Sequence, residues 1–378
     1  MQRLALPFLC LFSLVLAGSR HWQPPLTRRG RDSSEQPKRL GRREFVMETS
    51  SDGLVIWPNR QIRYCYENAA AKEALNTDVL DAWQIWLTHG LSESFTIKEV
   101  DEAVCVSDRW NTLLIADTTS ETNPSLSSTV GFFGPENNLR GKGPDDSLGP
   151  RVARPRMLLT TNTDLGMLNA AFNIAHEWGH AWGLYHEHQN PNFWGNVAMS
   201  NDGLVFGPDN TVTYNGASVS NWMCENLKGF SEDMLVPQKK TSGIWTGCSS
   251  WGVAVDRKFA GALEYLPTER NKATGSTGHT KDSVDWESIM LYNSKSGGTG
   301  TVTSKDDDER LPILLQPDGS LIPFNYAPSI QDIDALETLY GLKATTEVLL
   351  QKAGGDTTSR FKSIFNKSKG GSSTSGCL

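Results

Sequence analysis

His176-Glu177-Trp178-Gly179-His180-Ala181-Trp182-Gly183-Leu184-Tyr185-His186-Glu187 holds three of the chain's seven histidines, and His188 brings a fourth within thirteen residues. The spacing is that of a helix followed by a turn. Residues four apart lie one turn apart on the same helix face, so His176 and His180 converge on one point. Glu177 is rotated by about 100° from His176, beside that point rather than on it. Gly183 follows three residues after His180, and a glycine there takes the left-handed conformation that ends a helix. The chain then returns His186 as a third nitrogen donor. Three protein donors with a fourth position open is the pattern of a catalytic zinc site, not a structural one. A zinc ion in such a site acidifies water and polarises a carbonyl. Glu177 has the position of a general base that passes the proton on to a leaving amine. HExxH alone is a weak signal, and the glycine and third histidine at fixed spacing make it specific.

A second stretch, Asp285-Trp286-Glu287-Ser288-Ile289-Met290-Leu291-Tyr292, lies 104 positions beyond His186, counted to Met290. The long histidine motif followed by a methionine turn resembles the metzincins. Ser-Ile-Met-x-Tyr, with Glu187 directly after the third histidine, resembles their astacin branch. Leu54-Val55-Ile56-Trp57-Pro58-Asn59-Arg60-Gln61-Ile62-Arg63-Tyr64 is similar to the astacin opening, and Ser329 to Gly341 to the last helix of many metzincin domains. The likeness runs over about 54–342. It implies an α+β fold: a twisted, mostly parallel sheet with helices in an upper lobe, and an irregular lower lobe, around a zinc cleft. It implies one zinc ion per subunit on His176, His180 and His186, with Met290 as an apolar floor. It also implies that Tyr292 steadies charge on the reacting oxygen and that Glu187 anchors the new N-terminus after processing. The chain departs from the pattern at His188-Gln189-Asn190-Pro191, where astacins carry an arginine. His188 is expected at the surface.

The ends read differently from the middle. Residues 1–17 have the basic start, apolar core and small residues of a secretory signal peptide. That core is too short to span a membrane. Residues 18–43 carry eight Lys/Arg and two Asp/Glu, with the dibasic pairs Arg28-Arg29, Lys38-Arg39 and Arg42-Arg43. Such a segment cannot bury a core and reads as a propeptide cut by a kexin-like protease. It has no cysteine with which to mask a metal. Residues 343–378 form a tail rich in Ser, Gly and Lys, expected to be disordered, with the chain's glycosylation sequon at Asn366. These three segments hold 15 of the 36 basic residues but 4 of the 43 acidic ones, which leaves 44–342 with 21 and 39, a net of −18. That balance disfavours nucleic acid and anionic membrane as partners. Cys65, Cys105, Cys224 and Cys248 allow three pairings. Cys65–Cys105 and Cys224–Cys248 are favoured because each closes a local segment on one side of the zinc motif. Cys377 is left over in the tail.

A coarse reading places strands at Ile62–Tyr66, Phe95–Val100, Leu113–Ala116, Ser127–Phe133 and Met157–Thr161. Val79, Ala82, Trp83, Trp86 and Leu87 mark an amphipathic helix. The motif helix is expected to start near Asp164, capped by it. Thr129 to Gly134 is the expected edge strand for an extended peptide. Asp306-Asp307-Asp308-Glu309 is expected to be a solvated loop. The function expected is a secreted, extracellular zinc endopeptidase acting on protein or peptide substrates. Two alternatives stand beside it: a secreted binding protein or effector that keeps the fold without turnover, and a zinc hydrolase of non-peptide bonds.

Overall fold

Gln61–Tyr66 is a strand (β2) whose even positions Ile62 and Tyr64 face a large core, as strand alternation requires, while Cys65 is buried on the other face with Cys105 and Leu114. In the computed structural model residues 54–342 are described, apart from 123, 134–153, 164, 190–196, 201–202, 207–211, 215–216, 220–221, 241–242, 267–283, 305 and 317. The expected signal peptide, propeptide and tail, with Asn366 and Cys377, lie outside the described residues.

The chain begins with β1 (Leu54–Val55), then β2 and α1 (Ala69–Thr88). Next come β3 (Thr96–Glu99), α2 (Glu102–Ser107), β4 (Leu113–Asp117), β5 (Ser127–Ser128), β6 (Phe132–Phe133), β7 (Arg156–Leu159) and α3 (Ala170–Trp182). Five strands form one sheet in the order β3-β2-β4-β7-β5. All neighbours are parallel except β5, which runs antiparallel to β7 at the edge. This is the mostly parallel sheet the sequence led us to expect.

One prediction fails at the edge. Ser127–Phe133 is not one strand. Thr129 still donates its N–H to Arg156 O at 2.9 Å, but Gly131 turns with φ 62° and donates to His180 O at 3.0 Å. Phe132–Phe133 then pairs with Leu54–Val55 instead. The last strand of the sheet is therefore Ser127–Ser128, itself buried, rather than a strand running on from Thr129; Gly134 lies outside the described residues.

Helix α1 packs on α3. Leu75, Val79, Ala82, Trp83 and Trp86 are buried on the face that meets it, each large side chain contributing roughly 1.5–3 kcal/mol. Trp86 Nε1 donates to Ala175 O at 2.8 Å. Trp57 Nε1 donates to Ala181 O at 2.7 Å and Tyr340 OH to Trp182 O at 3.2 Å. The two ends of the domain thus grip the last turn of α3.

The lower lobe follows. Hairpins β8 (Val197–Ser200) with β9 (Gly203–Phe206), β10 (Val212–Tyr214) with β11 (Ala217–Val219), and β12 (Gln238–Lys240) with β13 (Gly243–Trp245) precede short helices α4 (Trp251–Asp256) and α5 (Ala260–Leu263). A last hairpin, β14 (Val302–Ser304) with β15 (Asp307–Asp308), leads to α6 (Ile330–Leu339). Disulfides join Cys65 to Cys105 and Cys224 to Cys248, with Cα atoms 6.0 and 5.8 Å apart. Among the described residues there are two large cores. The upper one contains Trp86, Trp178, Ile289 and Met290; the lower one contains Trp222, Phe259, Tyr265, Leu291 and Tyr292. Residues 289–292 cross from one core to the other, so that turn sits where the lobes meet.

Candidate metal centre

Helix α3 starts at Ala170 and not near Asp164. Asn169 caps it by accepting the N–H of Phe172 at 3.1 Å. The segment before it is a turn, not a helix, because Gly166 and Leu168 both take φ 59°. Asn173 clamps that turn: its Oδ1 accepts from Met167 N–H at 2.6 Å and its Nδ2 donates to Leu165 O at 3.1 Å. At the far end Gly183, with φ 116°, donates to Gly179 O and His180 O, and Leu184 N–H returns to Gly179 O at 2.9 Å. This closes the helix in the manner of a Schellman turn and sends the chain back towards the helix.

That return brings three imidazoles together. His180 Nε2 lies 3.0 Å from His186 Nε2, which lies 3.1 Å from His176 Nε2. All three rings are buried. His176 Nδ1 donates to Ile289 O at 2.7 Å and His180 Nδ1 to Leu184 O at 2.8 Å. With a proton committed at Nδ1, each of these rings presents a bare lone pair at Nε2. Burial holds the His176 pKa down at about 4, against the Ile289 hydrogen bond that raises it. Protonation is therefore a poor way to relieve lone pairs that face one another, whereas a divalent cation does so directly. His176, His180 and His186 could hold one metal ion, and neutral imidazoles suit zinc.

Glu177 is 1% exposed, and its Oε2 has no hydrogen-bond partner among the described residues. Burial first, and then the charge of Glu264, raise its pKa well above the ordinary carboxylate value. An unsatisfied buried carboxylate oxygen beside three metal-ready nitrogens fits a group that acts on water at the metal.

The methionine turn supports the cluster from below. Met290 N–H donates to Ser288 Oγ at 2.9 Å and Met290 O accepts from Glu187 N–H at 3.0 Å. A Cβ on Gly179 would stand 2.4 Å from Met290 Sδ and 3.2 Å from Trp86 Cζ2. Only a glycine lets Met290 lie this close beneath the motif. Glu187 is buried, and its Oε1 accepts from Asp285 N–H at 3.2 Å. Tyr292 places its ring 4.5 Å from that of His186 and 5.8 Å from that of His176.

His188 corrects the surface expectation, since it is fully buried. Its ring stacks on His186 at 4.8 Å, accepts Tyr292 N–H at Nδ1 (3.4 Å), and donates from Nε2 to Glu264 O at 3.0 Å. It occupies the layer behind the three histidines and ties Tyr292 to the end of α5. Partners 76 and 104 residues away gave no local signal of this.

Asp332 is another residue whose part was not visible in the sequence. From α6 its carboxylate accepts Ser288 Oγ–H at 2.7 Å, Ile289 N–H at 2.9 Å and Ser329 N–H at 2.9 Å. Ile289 is the residue whose carbonyl orients His176, so α6 fixes the turn that fixes the ligand. The signal that could have pointed to α6 was its capping box, Ser329-x-x-Asp332.

A recess of about 20 Å³ opens beside the site, lined by His176, Glu177 and Tyr292 together with Leu126, Met167 and Phe324, among others. Among the described residues no helix is long and apolar enough to cross a membrane.

No protein-family model matches the chain, and no curated protein matches it. Among solved structures it is similar to high choriolytic enzyme 1, a hatching enzyme zinc-protease from the medaka fish Oryzias latipes. The identity is 15% and the TM-score 0.37, over 78% of this chain and 94% of that one. A likeness at that level carries no argument about activity.

Proposed function

We propose that this chain is a secreted zinc endopeptidase of the astacin type. The observation that carries the reading is the triad of His176, His180 and His186, two of them with Nδ1 committed to backbone carbonyls, beside the buried and unpartnered Oε2 of Glu177.

Zinc held by the three imidazoles supplies Lewis acidity, polarising the scissile carbonyl and acidifying water. Glu177 takes the proton from the attacking water and delivers it to the departing amine. The Tyr292 phenol donates a hydrogen bond to the carbonyl oxygen as negative charge grows there. Met290 supports the ligands, and Glu187 anchors the processed N-terminus. Residues 1–17 direct secretion, 18–43 are removed by a kexin-like protease, 44–342 form the catalytic domain, and 343–378 form a tail. Two disulfides fit an oxidising compartment. Protein or peptide chains are the substrates; the net charge of −18 on 44–342 disfavours nucleic acid and anionic membrane.

The test compares Glu177→Gln with wild type on casein, with zinc measured on both. The variant is expected to keep its zinc and lose cleavage by at least a hundredfold. Cleavage at the wild-type rate by the variant contradicts the mechanism. Zinc binding without cleavage of any peptide by the wild type would favour a non-catalytic effector or a hydrolase of non-peptide bonds.

A further inference from the structure

Asn169, Phe172, Asn173, His176 and Glu177 recur at the spacing of one face of α3. The metal motif is the C-terminal end of that stripe. Its N-terminal end faces a groove of about 500 Å³ lined by Met167, Leu168, Asn169, Phe172, Thr303 and Tyr326, among others. The groove adjoins the recess beside Glu177. Met167 lines both. Phe324, in the recess wall, stacks on Tyr326 in the groove wall with centroids 5.7 Å apart and planes at 3°, and Tyr326 meets Phe172 at 4.7 Å.

The chemistry orients a substrate along this stripe. Glu177 hands its proton to the leaving amine, so the residue bearing that amine lies on the Glu177 side, next to the recess. The chain beyond it heads towards the start of α3. From His176 to Phe172 and Asn169 is roughly 6 and 10 Å at about 1.5 Å per helical residue. An extended peptide covers that in about two to three residues at roughly 3.3 Å each.

The groove has an aromatic wall, and one exposed carboxylate, Asp306, follows two residues after Ser304 in its lining. Hairpin β14–β15 carries both, and the acidic run is not a simple solvated loop. Asp308 turns inward and pairs with Arg310 through two hydrogen bonds of 2.9 Å, while Asp307 accepts from the Thr303 hydroxyl. Asp306 is exposed. Ser304, which lines the groove, pairs with Asp307 across the hairpin, so Asp306 sits in the turn directly beside the groove wall. The groove's described lining residues carry no charge of either sign. Among the described residues, Asp306 in the adjoining turn is therefore the charge a substrate side chain meets there; Lys305 lies outside them.

We propose that this groove binds the substrate about three residues beyond the scissile bond, on its amine side, and selects a basic side chain there, arginine first. The proposal rests on the endopeptidase reading. An arginine lays its aliphatic stem along Phe172 and Tyr326 and turns its guanidinium to Asp306, a combination that a compact ammonium satisfies less well.

The test uses the full-length, zinc-loaded protein and a set of quenched fluorescent peptides. They are identical except for Arg, Gln or Glu at the second, third or fourth position after the scissile bond. We expect kcat/KM for Arg over Glu to reach about tenfold or more at one of these positions, centred on the third. Asp306→Asn is expected to shrink that ratio to within about threefold, and Tyr326→Ala to lower the Arg preference similarly. Equal rates for Arg and Glu at every position overturn the proposal, as does an unchanged ratio in Asp306→Asn. If no peptide is cut, the endopeptidase reading fails separately, and the groove is read by anisotropy of the same peptides, singly labelled. Arg peptides binding at least fivefold tighter than Glu peptides, with the difference lost in Asp306→Asn, support the groove; equal binding overturns it.

Discussion

Replacing Asp332 by asparagine tests how the last helix holds the metal centre. The Asp332 carboxylate is 5% exposed, and Asp285 approaches it with a carboxylate that itself accepts the Ser329 hydroxyl. Burial first, and then Asp285, push the Asp332 pKa up to about 7, against the hydrogen bonds from Ser288, Ser329 and Ile289 that favour the ionised form. In the unfolded chain an aspartate titrates near pH ~3.9. The folded value is raised, so the group's contribution to stability is fully present below pH ~3.9 and is lost as pH rises through about 7. Over that interval the native state holds a proton that the unfolded state has released, and the slope is at most about 1.4 kcal/mol per pH unit. Three units set an upper bound of about 4 kcal/mol. Asparagine keeps an acceptor oxygen for the N–H groups of Ile289 and Ser329 but carries no charge. The loss of the Ser288 interaction is a constant offset. Urea unfolding of both proteins in excess zinc, at pH 5 and pH 8, isolates the pH-dependent part. About one of those three units is already lost at pH 5, so the variant is expected to gain on wild type by roughly 1–3 kcal/mol between the two. A difference constant to within about 0.5 kcal/mol would show that no raised acid sits under the turn.

Two further outcomes follow from the packing around the triad. Gly179→Ala drives a Cβ to within 2.4 Å of Met290 Sδ, so thermal denaturation should show a loss of about 1–3 kcal/mol; an unchanged Tm would mean that Met290 does not lie under the motif. Tyr292→Phe keeps the ring among His176, His186 and His188 and removes only the phenol, so zinc content should hold while kcat falls by about a hundredfold. A kcat within threefold of wild type would remove Tyr292 from the chemistry.

What could be read from the sequence was local. The histidine spacing and glycine stop of α3 and the apolar stripe of α1 each lie within a few turns of their own helix, where a 3.6-residue period speaks for itself. The start of α3 was misplaced because Leu165–Leu168 looks helical by composition, whereas Gly166 and Leu168 take left-handed backbone and Asn173 pins the turn from within the helix. The edge strand was overextended because nothing in Gly131 announces that its N–H goes to His180 O, 49 residues on. His188 was assigned to the surface as a polar residue beside a loop. Its burial depends on Tyr292 and Glu264, which only folding of the long lower-lobe segment brings near. Asp332 acts on Ser288 and Ile289 from 44 and 43 residues away. Positions whose role is set by distant partners carry no periodic trace.

The central claim is that His176, His180 and His186 form one zinc site. The most direct measurement is zinc content by mass spectrometry on dialysed, secreted protein, wild type beside His180→Ala, with circular dichroism on both. One zinc per chain in the wild type, and its loss in a variant that keeps the wild-type spectrum, is the predicted result. A wild type that takes up no zinc on loading, or a His180→Ala variant that retains a full equivalent, contradicts the account.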